Sequence, residues 1–472
     1  MPSAQTHGES INGFQAFRAE AEQVLPTGTL TTDLADLVMF GYDASKRYGN
    51  PDIVATPASQ DDAVKLIALA AKHTVPITTR GAGSGLTGGA VPAQGGMVLN
   101  LARLNRIVEI DTSNLTATVE AGVVCGELDR AAAKAGLFYP PSPGSADYST
   151  IGGNIMENAG GMRAYKYGVT RDYVLQLRCV LPTGEVFTTG SHAVKNVTGY
   201  DLARILVGSE GTLAVLLQAT LRLIPQPNAI GTMLALFAND ASALTAAQEI
   251  VAAPLVPRAM EYMDDEVLRC IRAYRDLPQL KSETHAALLL EADGASDTDV
   301  QAQLEAMASV CKRHSPLPIE QAASTAEREA LWDVRNSVSP ALFQLGGFKL
   351  SEDISVPRSC CLEFITRMRE IGAELPQPIA AYGHVGDGTM HITLMLSGPN
   401  DPQLPQAEKV VEELFRLAVS LKGSLSAEHG IGLTKQRYLG IELSPVEMRL
   451  MRDIKAVFDP QGILNPGKVF PE

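Results

Sequence analysis

The feature that most constrains this chain is a glycine-rich loop, Arg80-Gly-Ala-Gly-Ser-Gly-Leu-Thr-Gly-Gly89. Its central part, Gly83-Ser-Gly-Leu-Thr-Gly88, matches the G-x-G-x-x-G pattern of Rossmann dinucleotide sites. A Rossmann helix must open inside that pattern, whereas Pro92 and Gly95 follow here and forbid a helix. The backbone N–H groups of a glycine turn can still bind a pyrophosphate, although a plain glycine-rich turn is the alternative.

Two further glycine clusters favour a ligand site over a plain turn. They lie at residues 152–161 and 208–211. Region 139–168, which contains the first of these clusters, is rich in Pro, Gly and Asn and is expected to have little regular structure. Irregular segments of that length usually serve a function, so we expect ordered loops that follow a ligand.

The elements and composition along the chain predict two domains, of which the second, with helices on one face of its strands, is expected to be α+β. Short strands, turns and helices alternate from Asp52 to Pro227, and glycine then gives way to helix formers. The C-terminal segment from residue 423 is again interrupted by glycines and is expected to return to the first domain. The predicted ranges are therefore 1–227 for the first domain, 228–422 for the second and 423–472 for the returning segment. The predicted strands are 53–55, 75–79, 97–100, 107–110, 116–121, 175–181, 185–188, 213–224, 230–237, 286–291 and 388–396. The predicted helices are 59–72, 126–135, 241–252, 299–313, 326–342, 358–371 and 406–421.

Composition excludes several classes of protein. Hydrophobic residues make up 45% and charged residues 19% of the 472 residues, which argues against long disorder. The formal charge of −14 argues against nucleic acid as the main partner. No transmembrane helix and no signal-peptide core at Met1–Ile11 are apparent, so we expect a cytoplasmic protein, with peripheral binding at the inner face of the membrane left open. The six cysteines form no Cys-x-x-Cys pair, so no iron–sulfur cluster is expected in this chain.

Three histidines lie in two motifs that are typical of a metal site. One motif is Gly383-His384-Val-Gly-Asp-Gly-Thr-Met-His391, and the other contains Glu428 and His429. The glycines between His384 and His391 rule out a helix, but a tight turn into a strand would let the two rings converge. Two histidines and a carboxylate suit Zn²⁺, Mn²⁺ or Fe²⁺, whereas two separate structural histidines are the alternative.

Seven motifs follow one another along nearly the whole chain: Arg80–Gly89, Thr150-Ile-Gly-Gly-Asn154, Glu157-Asn-Ala-Gly-Gly161, Lys166-Tyr-Gly168, Gly199-Tyr-Asp-Leu202, Gly208-Ser-Glu-Gly-Thr212 and Asn465-Pro-Gly-Lys468. Together these motifs resemble one family. They are those of the FAD-linked D-2-hydroxy acid dehydrogenases in the vanillyl-alcohol oxidase / p-cresol methylhydroxylase superfamily. That group includes the glycolate oxidase flavin subunit, D-lactate dehydrogenases and D-2-hydroxyglutarate dehydrogenase. The resemblance implies an α+β, two-domain flavoprotein with a non-Rossmann FAD-binding domain of the p-cresol methylhydroxylase type and an α+β substrate domain with an antiparallel sheet.

The resemblance also implies which residues hold FAD. The 80–89 loop would wrap the pyrophosphate, while segments 143–163 and 208–215 would line the isoalloxazine and adenine ends. The loop contains no histidine for covalent attachment, so we expect non-covalent FAD. The implied cofactor-binding residues are Arg80, Gly81, Ala82, Gly83, Ser84, Gly85, Thr87, Gly88, Pro143, Gly144, Ser145, Thr150, Gly152, Gly153, Asn154, Asn158, Gly160, Gly161, Glu210, Gly211, Val215 and Asn465.

By the same resemblance, His384, His391 and Glu428 hold one divalent metal, with Zn²⁺ as first choice and Mn²⁺ or Fe²⁺ as alternatives. His429 is the implied general base. A hydride leaves C2 of a hydroxy acid only as the hydroxyl loses its proton, and a neutral imidazole suits that task. A metal bound to the hydroxyl and carboxylate would lower the hydroxyl pKa, and FAD would accept the hydride at N5.

Four further residues are implied to bind the substrate: Arg335, Ser339, Lys349 and Thr393. The guanidinium of Arg335 would bind the C1 carboxylate bidentately, although a surface arginine on an amphipathic helix is the alternative. The dicarboxylate-specific relatives carry a lysine where this chain has Ser351 and an asparagine where it has Thr393. These departures favour D-lactate, glycolate or a similar D-2-hydroxy monocarboxylate over D-2-hydroxyglutarate.

Electrons must leave the flavin through a separate acceptor. An iron–sulfur subunit, an electron-transfer flavoprotein, a cytochrome or a quinone would each serve, and the chain would then act as the flavin subunit of an electron-transfer complex. An oxidase that uses O₂ is the other alternative. A homodimer is left open.

Overall fold

The computed structural model describes residues 4–471, with side chains from residue 13 onward. All of Met1–Ile11, the segment in which the sequence shows no signal-peptide core, lies outside the described side chains. None of the helices among the described residues is long and apolar enough to cross a membrane.

The helices and strands alternate along the whole described chain. The helices are α1 (Ala4–Val24), α2 (Leu34–Phe40), α3 (Gln60–Lys72), α4 (Cys125–Ala133), α5 (Ile151–Glu157), α6 (Ala164–Tyr167), α7 (Leu202–Leu206), α8 (Asp240–Ala252), α9 (Asp265–Tyr274), α10 (Asp297–His314), α11 (Thr325–Asn336), α12 (Val338–Ala341), α13 (Cys361–Ile371), α14 (Leu404–Ser420), α15 (Leu439–Glu442) and α16 (Pro445–Phe458). The strands are β1 (Leu30–Thr31), β2 (Ile53–Ala55), β3 (Ile77–Arg80), β4 (Met97–Asn100), β5 (Ile107–Asp111), β6 (Thr116–Glu120), β7 (Leu137–Phe138), β8 (Val174–Val180), β9 (Val186–Gly190), β10 (Val215–Arg222), β11 (Ile224–Pro225), β12 (Ala229–Phe237), β13 (Ala259–Met263), β14 (Ala286–Gly294), β15 (Ile319–Gln321), β16 (Phe348–Ser355), β17 (Ala380–His384) and β18 (Thr389–Leu396).

The chain divides into two compact units. The first contains Met1–Gly160, Val169–Gln226 and Glu428–Glu472, and the second contains Gly161–Gly168 and Pro227–Ala427. The sequence analysis did not foresee that the short segment Gly161–Gly168 would pass into the second unit.

The first unit combines a four-stranded sheet, a five-stranded sheet and the strand pair β11-β7 around one apolar core. In the four-stranded sheet, of order β1-β2-β4-β3, β4 runs parallel to β2 and β3. The five-stranded sheet has the order β5-β6-β10-β8-β9 and is antiparallel throughout. Helix α3 begins after Ser59, whose side chain accepts a hydrogen bond from the Asp62 N–H, as the capping signature predicts. The α+β class is confirmed, and the glycine loop follows a parallel strand without opening a helix.

The second unit is a seven-stranded antiparallel sheet of order β15-β12-β14-β13-β17-β18-β16. Helices α9, α11 and α12 supply apolar residues to one face of this sheet, where Val267, Val334 and Val338 are buried with Met263 and Met395. Helix α10 packs on the other face, against β12 and β14. The antiparallel sheet with helices agrees with the architecture that the family resemblance implies.

One prediction about local structure is wrong. Region 139–168 contains helix α5, although its sequence Ile-Gly-Gly-Asn-Ile-Met-Glu has two glycines in the first turn. The helix forms because Thr150 caps it through Gly153 N–H and because Ile151 and Ile155 are fully buried. A Cβ on Gly152 would lie 2.8 Å from the Ala121 carbonyl oxygen, so glycine permits this close packing.

Candidate active site

The two motif histidines converge through a β-hairpin of the second unit. Strand β17 ends at His384, β18 begins at Thr389, and Tyr382 lies directly opposite His391. The turn is closed by Asp387, whose N–H donates to the His384 carbonyl over 3.1 Å and whose carboxylate accepts from Thr389 N–H over 3.0 Å. Asp387 thus stabilises the turn, and the two imidazole rings lie 5.3 Å apart at right angles.

The segment that leads to Glu428 runs beside strand β16. Ser355 and Ser424 exchange two backbone hydrogen bonds, and Ala427 N–H donates to Asp353 Oδ2 over 2.8 Å. Asp353 is itself the cross-strand neighbour of His391. Glu428 follows Ala427 directly in the chain. The hydrogen bonds of Ala427 and Ser424 therefore fix the backbone position from which Glu428 starts.

The three predicted metal ligands come together. One ligand atom from each of His384, His391 and Glu428 lies within 4.8 Å of the other two. His384 and His391 are buried, at 6% and 7% exposure, and Glu428 is half-buried. Two buried imidazoles and a carboxylate form a donor set that fits a divalent transition metal.

Sequence reasoning missed a buried carboxylate that joins two of the predicted residues. Glu261, on strand β13, is fully buried and lies opposite His384 in the sheet. Its Oε1 is 2.6 Å from His384 Nδ1, and its Oε2 accepts from Arg335 Nε over 2.7 Å. Burial raises the pKa of Glu261, but its interactions with His384 and Arg335 outweigh burial and lower that pKa to about 2. The carboxylate is shared between a predicted metal ligand and the predicted substrate arginine.

Tyr382 is a second missed residue, and it groups the predicted substrate residues around one ring. The Arg335 guanidinium lies 5.0 Å from the centre of the Tyr382 ring. Lys349 Nζ lies 3.4 Å from both Tyr382 Oη and Ser339 Oγ. Burial raises the Tyr382 pKa, but Lys349 and Arg335 outweigh it, so the pKa is lowered overall. Arg335 is thus part of the buried cluster, not a surface arginine.

Thr393 is also part of this sheet face, two residues after His391. It is fully buried, and its Oγ1 lies 3.0 Å from Ser351 Oγ. Ser351 and Thr393, the two positions from which the sequence analysis argued for a monocarboxylate, therefore pair with each other.

The predicted FAD residues converge within the first unit, except for Gly161, which begins the short segment of the second unit. Gly81 packs against Thr150, while Gly208 N–H and Glu210 N–H donate to carbonyl groups of helix α5. Asn465 Nδ2 donates to the carbonyl oxygens of both Gly89 and Glu210, over 2.9 and 2.8 Å. The three glycine clusters and the C-terminal motif therefore meet.

The other predicted FAD residues lie in the same loops or beside them. Pro143, Gly144 and Ser145 form the turn that leads into α5, Asn158 ends that helix with φ of 55°, and Val215 begins β10. Arg80 donates to the Tyr42 carbonyl over 2.6 Å, which holds the base of the glycine loop.

Buried polar atoms test whether these loops fit a polar cofactor. Thr79 Oγ1, Ser149 Oγ and Asn154 Nδ2 are buried without a hydrogen-bond partner among the described residues. Buried polar groups are nearly always paired, so three such atoms beside the glycine clusters fit a ligand that supplies donors and acceptors. The site therefore fits the polar groups of FAD.

The loop that carries His429 is tied to the glycine loop by hydrogen bonds within the first unit. Thr87 Oγ1 donates to the His429 carbonyl over 3.1 Å. The Glu210 carboxylate accepts from the N–H groups of Ile431 and Gly432, over 2.8 and 2.7 Å. The side chain of Glu210, a predicted cofactor residue, thus holds the turn that follows His429.

Comparisons with known proteins show the family to which this chain is related. The model of the FAD-linked oxidase C-terminal domain matches residues 226–469, and that of an FAD-binding domain matches residues 51–190. The glycolate oxidase subunit GlcD of Bacillus subtilis is 40% identical over 92% of this chain and 93% of its own length. A D-lactate dehydrogenase of Anaerostipes hadrus is 33% identical over 91% of this chain and 92% of its own. A D-2-hydroxyglutarate dehydrogenase of Stutzerimonas stutzeri is 31% identical over 96% of this chain and 98% of its own.

A solved structure shows the same fold. Crystalline p-cresol methylhydroxylase superposes with a TM-score of 0.79 at 18% identity, covering 98% of this chain and 97% of that one. The chain belongs to the FAD-linked oxidases, with the p-cresol methylhydroxylase type of fold. It is an FAD-dependent oxidoreductase related to enzymes named for glycolate, D-lactate and D-2-hydroxyglutarate, which confirms the family predicted from the seven motifs.

Proposed function

We propose that this protein is a metal-assisted, FAD-dependent dehydrogenase of D-2-hydroxy monocarboxylates such as D-lactate and glycolate. The proposal rests on one cluster of side chains. His384, His391 and Glu428 form the candidate metal site, and Glu261 links His384 to Arg335. FAD, when bound non-covalently, supplies a two-electron acceptor for the hydride from C2. A divalent ion on the three ligands, Zn²⁺ first among the candidates, supplies a Lewis acid for the C2 hydroxyl.

The residues of the chain then have separate tasks. Arg335 Nε donates a hydrogen bond to Glu261. Its two terminal nitrogens are then left to bind the C1 carboxylate of the substrate bidentately. The Tyr382 ring beneath the guanidinium restricts its orientation. A ring nitrogen of His429 accepts the hydroxyl proton as the C2–H bond breaks, so that a hydroxy acid leaves as a 2-oxo acid.

The position of Lys349 is the observation that favours D-2-hydroxyglutarate as the alternative substrate. Its ammonium group lies beside Tyr382 and Ser339, within reach of the same cluster, and could receive a second carboxylate. Against this, Ser351 and Thr393 are neutral and bond each other. A panel of D-lactate, L-lactate, glycolate and D-2-hydroxyglutarate with a dye acceptor decides between them. A kcat/KM for D-2-hydroxyglutarate above those of the monocarboxylates would contradict our choice.

The name of one relative also supports a separate electron-accepting partner. The relative from Bacillus subtilis is named as a subunit of glycolate oxidase. We propose that this chain passes electrons to a separate acceptor and does not use O₂ directly. Reoxidation of the reduced flavin should therefore be slow in air and fast with the physiological acceptor, whereas rapid reoxidation by O₂ alone would indicate an oxidase.

Acid precipitation of the purified protein is expected to release its flavin. The motivation is that residues 80–89 contain no histidine for a covalent link, while the cofactor is held by backbone groups and buried polar atoms. The supernatant should be yellow and contain one FAD per chain. A flavin that stays with the protein pellet would contradict non-covalent binding.

Arg335→Lys is expected to raise KM roughly tenfold to more than a hundredfold, the equivalent of about 1.5–3 kcal/mol for a lost charge-assisted pair. A lysine ammonium cannot bind Glu261 and a substrate carboxylate in the fixed geometry of a guanidinium. Steady-state kinetics measure the change, and Arg369→Lys is the matched control because Arg369 pairs with Asp264 instead. Unchanged kinetics for Arg335→Lys would remove Arg335 from the substrate site.

A further inference from the structure

We propose that Glu261 is a positioning residue that sets both the metal ligand His384 and the substrate arginine Arg335. This inference rests on the proposed function, because it assigns a task to Glu261 within that site. Nothing in the chemistry of the family motifs points to this residue, since it lies in none of them. Its assignment comes from the sheet register and the two contacts of its carboxylate.

The first step of the argument is burial. Glu261 has no exposed surface, and a carboxyl group is retained in such a place only when a counter-charge lies beside it and its hydrogen-bond capacity is met. Both conditions are met here by one oxygen bonded to His384 Nδ1 and the other to Arg335 Nε. These contacts join strand β13 to strand β17 and to helix α11.

The second step concerns His384. Because Nδ1 donates to Glu261, the imidazole is held in the tautomer whose Nε2 lone pair is available to a metal. A carboxylate on the far side of a ligating imidazole also raises its basicity and fixes its ring, and loss of such a partner commonly weakens metal binding 10- to 100-fold.

The third step concerns Arg335. Glu261 accepts a hydrogen bond from Arg335 Nε and so fixes the plane of the guanidinium. The centre of the Tyr382 ring lies 5.0 Å from the central carbon of that guanidinium. Rotation about the side chain would break the Glu261 contact, so the terminal nitrogens keep one orientation. The fork for a substrate carboxylate is therefore preorganised by the residue that also orients the metal ligand.

Glu261→Gln is the sharpest variant because it keeps the shape and removes one acceptor. The two partners of Glu261 are both donors, and a glutamine has one acceptor oxygen and one donor NH₂ group. As long as His384 keeps its Nε2 lone pair for the metal, and therefore carries its proton on Nδ1, the glutamine can satisfy His384 or Arg335 but not both. Asp264→Asn is the matched control, because Asp264 is also fully buried near the end of β13 but binds Arg369 and the Ala381 N–H.

The test measures Zn²⁺ affinity of the FAD-loaded, metal-stripped protein by competition with a chromophoric chelator, and KM for the best hydroxy acid. We expect Glu261→Gln to bind Zn²⁺ roughly 10- to 100-fold more weakly and to raise KM at least several-fold. Asp264→Asn should keep both values even if its thermal unfolding midpoint falls.

Wild-type affinity and KM in Glu261→Gln, or a change in one of them alone, would overturn the shared role. If Glu261→Gln does not fold, Glu261→Asp replaces it, since the shorter side chain cannot reach both partners, and unchanged values in that variant would overturn the role equally. A wild type that binds no Zn²⁺ would instead sink the metal part of the proposed function.

Discussion

His429→Ala is expected to lower turnover by roughly 10²–10⁴, the usual contribution of a positioned general base, while FAD and metal stay bound. The structure explains why the loss should be confined to chemistry. The loop is held through the His429 carbonyl and the N–H groups of Ile431 and Gly432, none of which the substitution removes. Steady-state kinetics, flavin absorbance and elemental analysis measure the three properties.

His192→Ala is the control for this variant. His192 is an exposed histidine of the same unit that lies 3.4 Å from the Thr220 hydroxyl, away from the motifs. It should keep wild-type turnover. If His429→Ala retains more than about a tenth of wild-type turnover, another group removes the proton, because general bases contribute at least roughly a hundredfold.

His391→Ala is expected to lose metal and activity together and to keep FAD. The ring is one of three ligands, and two remaining ligands hold a divalent ion far less tightly. FAD should remain because the predicted FAD residues, Gly161 excepted, belong to the first unit, whereas His391 lies on β18 of the second.

Elemental analysis and flavin absorbance decide this prediction. His285→Ala, which removes a half-exposed histidine paired with Asp265, is the control and should keep both metal and FAD. Stoichiometric metal in active His391→Ala would show that His391 is not a ligand. Loss of FAD as well would show that the substitution unfolds more than the site.

The outcome for the hairpin shows what sequence could predict here. Glycines at 386 and 388 exclude a helix, and the alternating residues after them form a strand, so convergence of His384 and His391 followed from local pattern. The FAD loops were predictable for a similar reason, because glycine clusters mark positions where backbone must approach a ligand or another segment closely.

Glu261 shows what sequence could not predict. Its strand, Ala259–Met263, is short and carries an acid at its centre, so neither period nor propensity identifies it. The burial of that acid depends on partners 74 and 123 residues away, and such long-range pairing leaves no local trace. A lone acid within the apolar run Ala-Met-Glu-Tyr-Met was the signal that could have been noticed.

Helix α5 was missed for a different reason. Its two glycines carry a propensity cost of about 1 kcal/mol each, which favours a loop in isolation. Burial of Ile151 and Ile155 together with the Thr150 cap overrides that cost. Tertiary packing thus decided the structure where local propensity pointed the other way.

The most direct test of the central claim is anaerobic reduction of the bound flavin by D-lactate or glycolate, before and after removal of metal by a chelator. We predict that flavin absorbance bleaches rapidly in the metal-loaded protein, slows strongly after chelation and recovers when Zn²⁺ or Mn²⁺ is restored. L-lactate should bleach it far more slowly than D-lactate. Bleaching at the same rate with and without metal, or equally by both enantiomers, would contradict a metal-assisted D-2-hydroxy acid dehydrogenase.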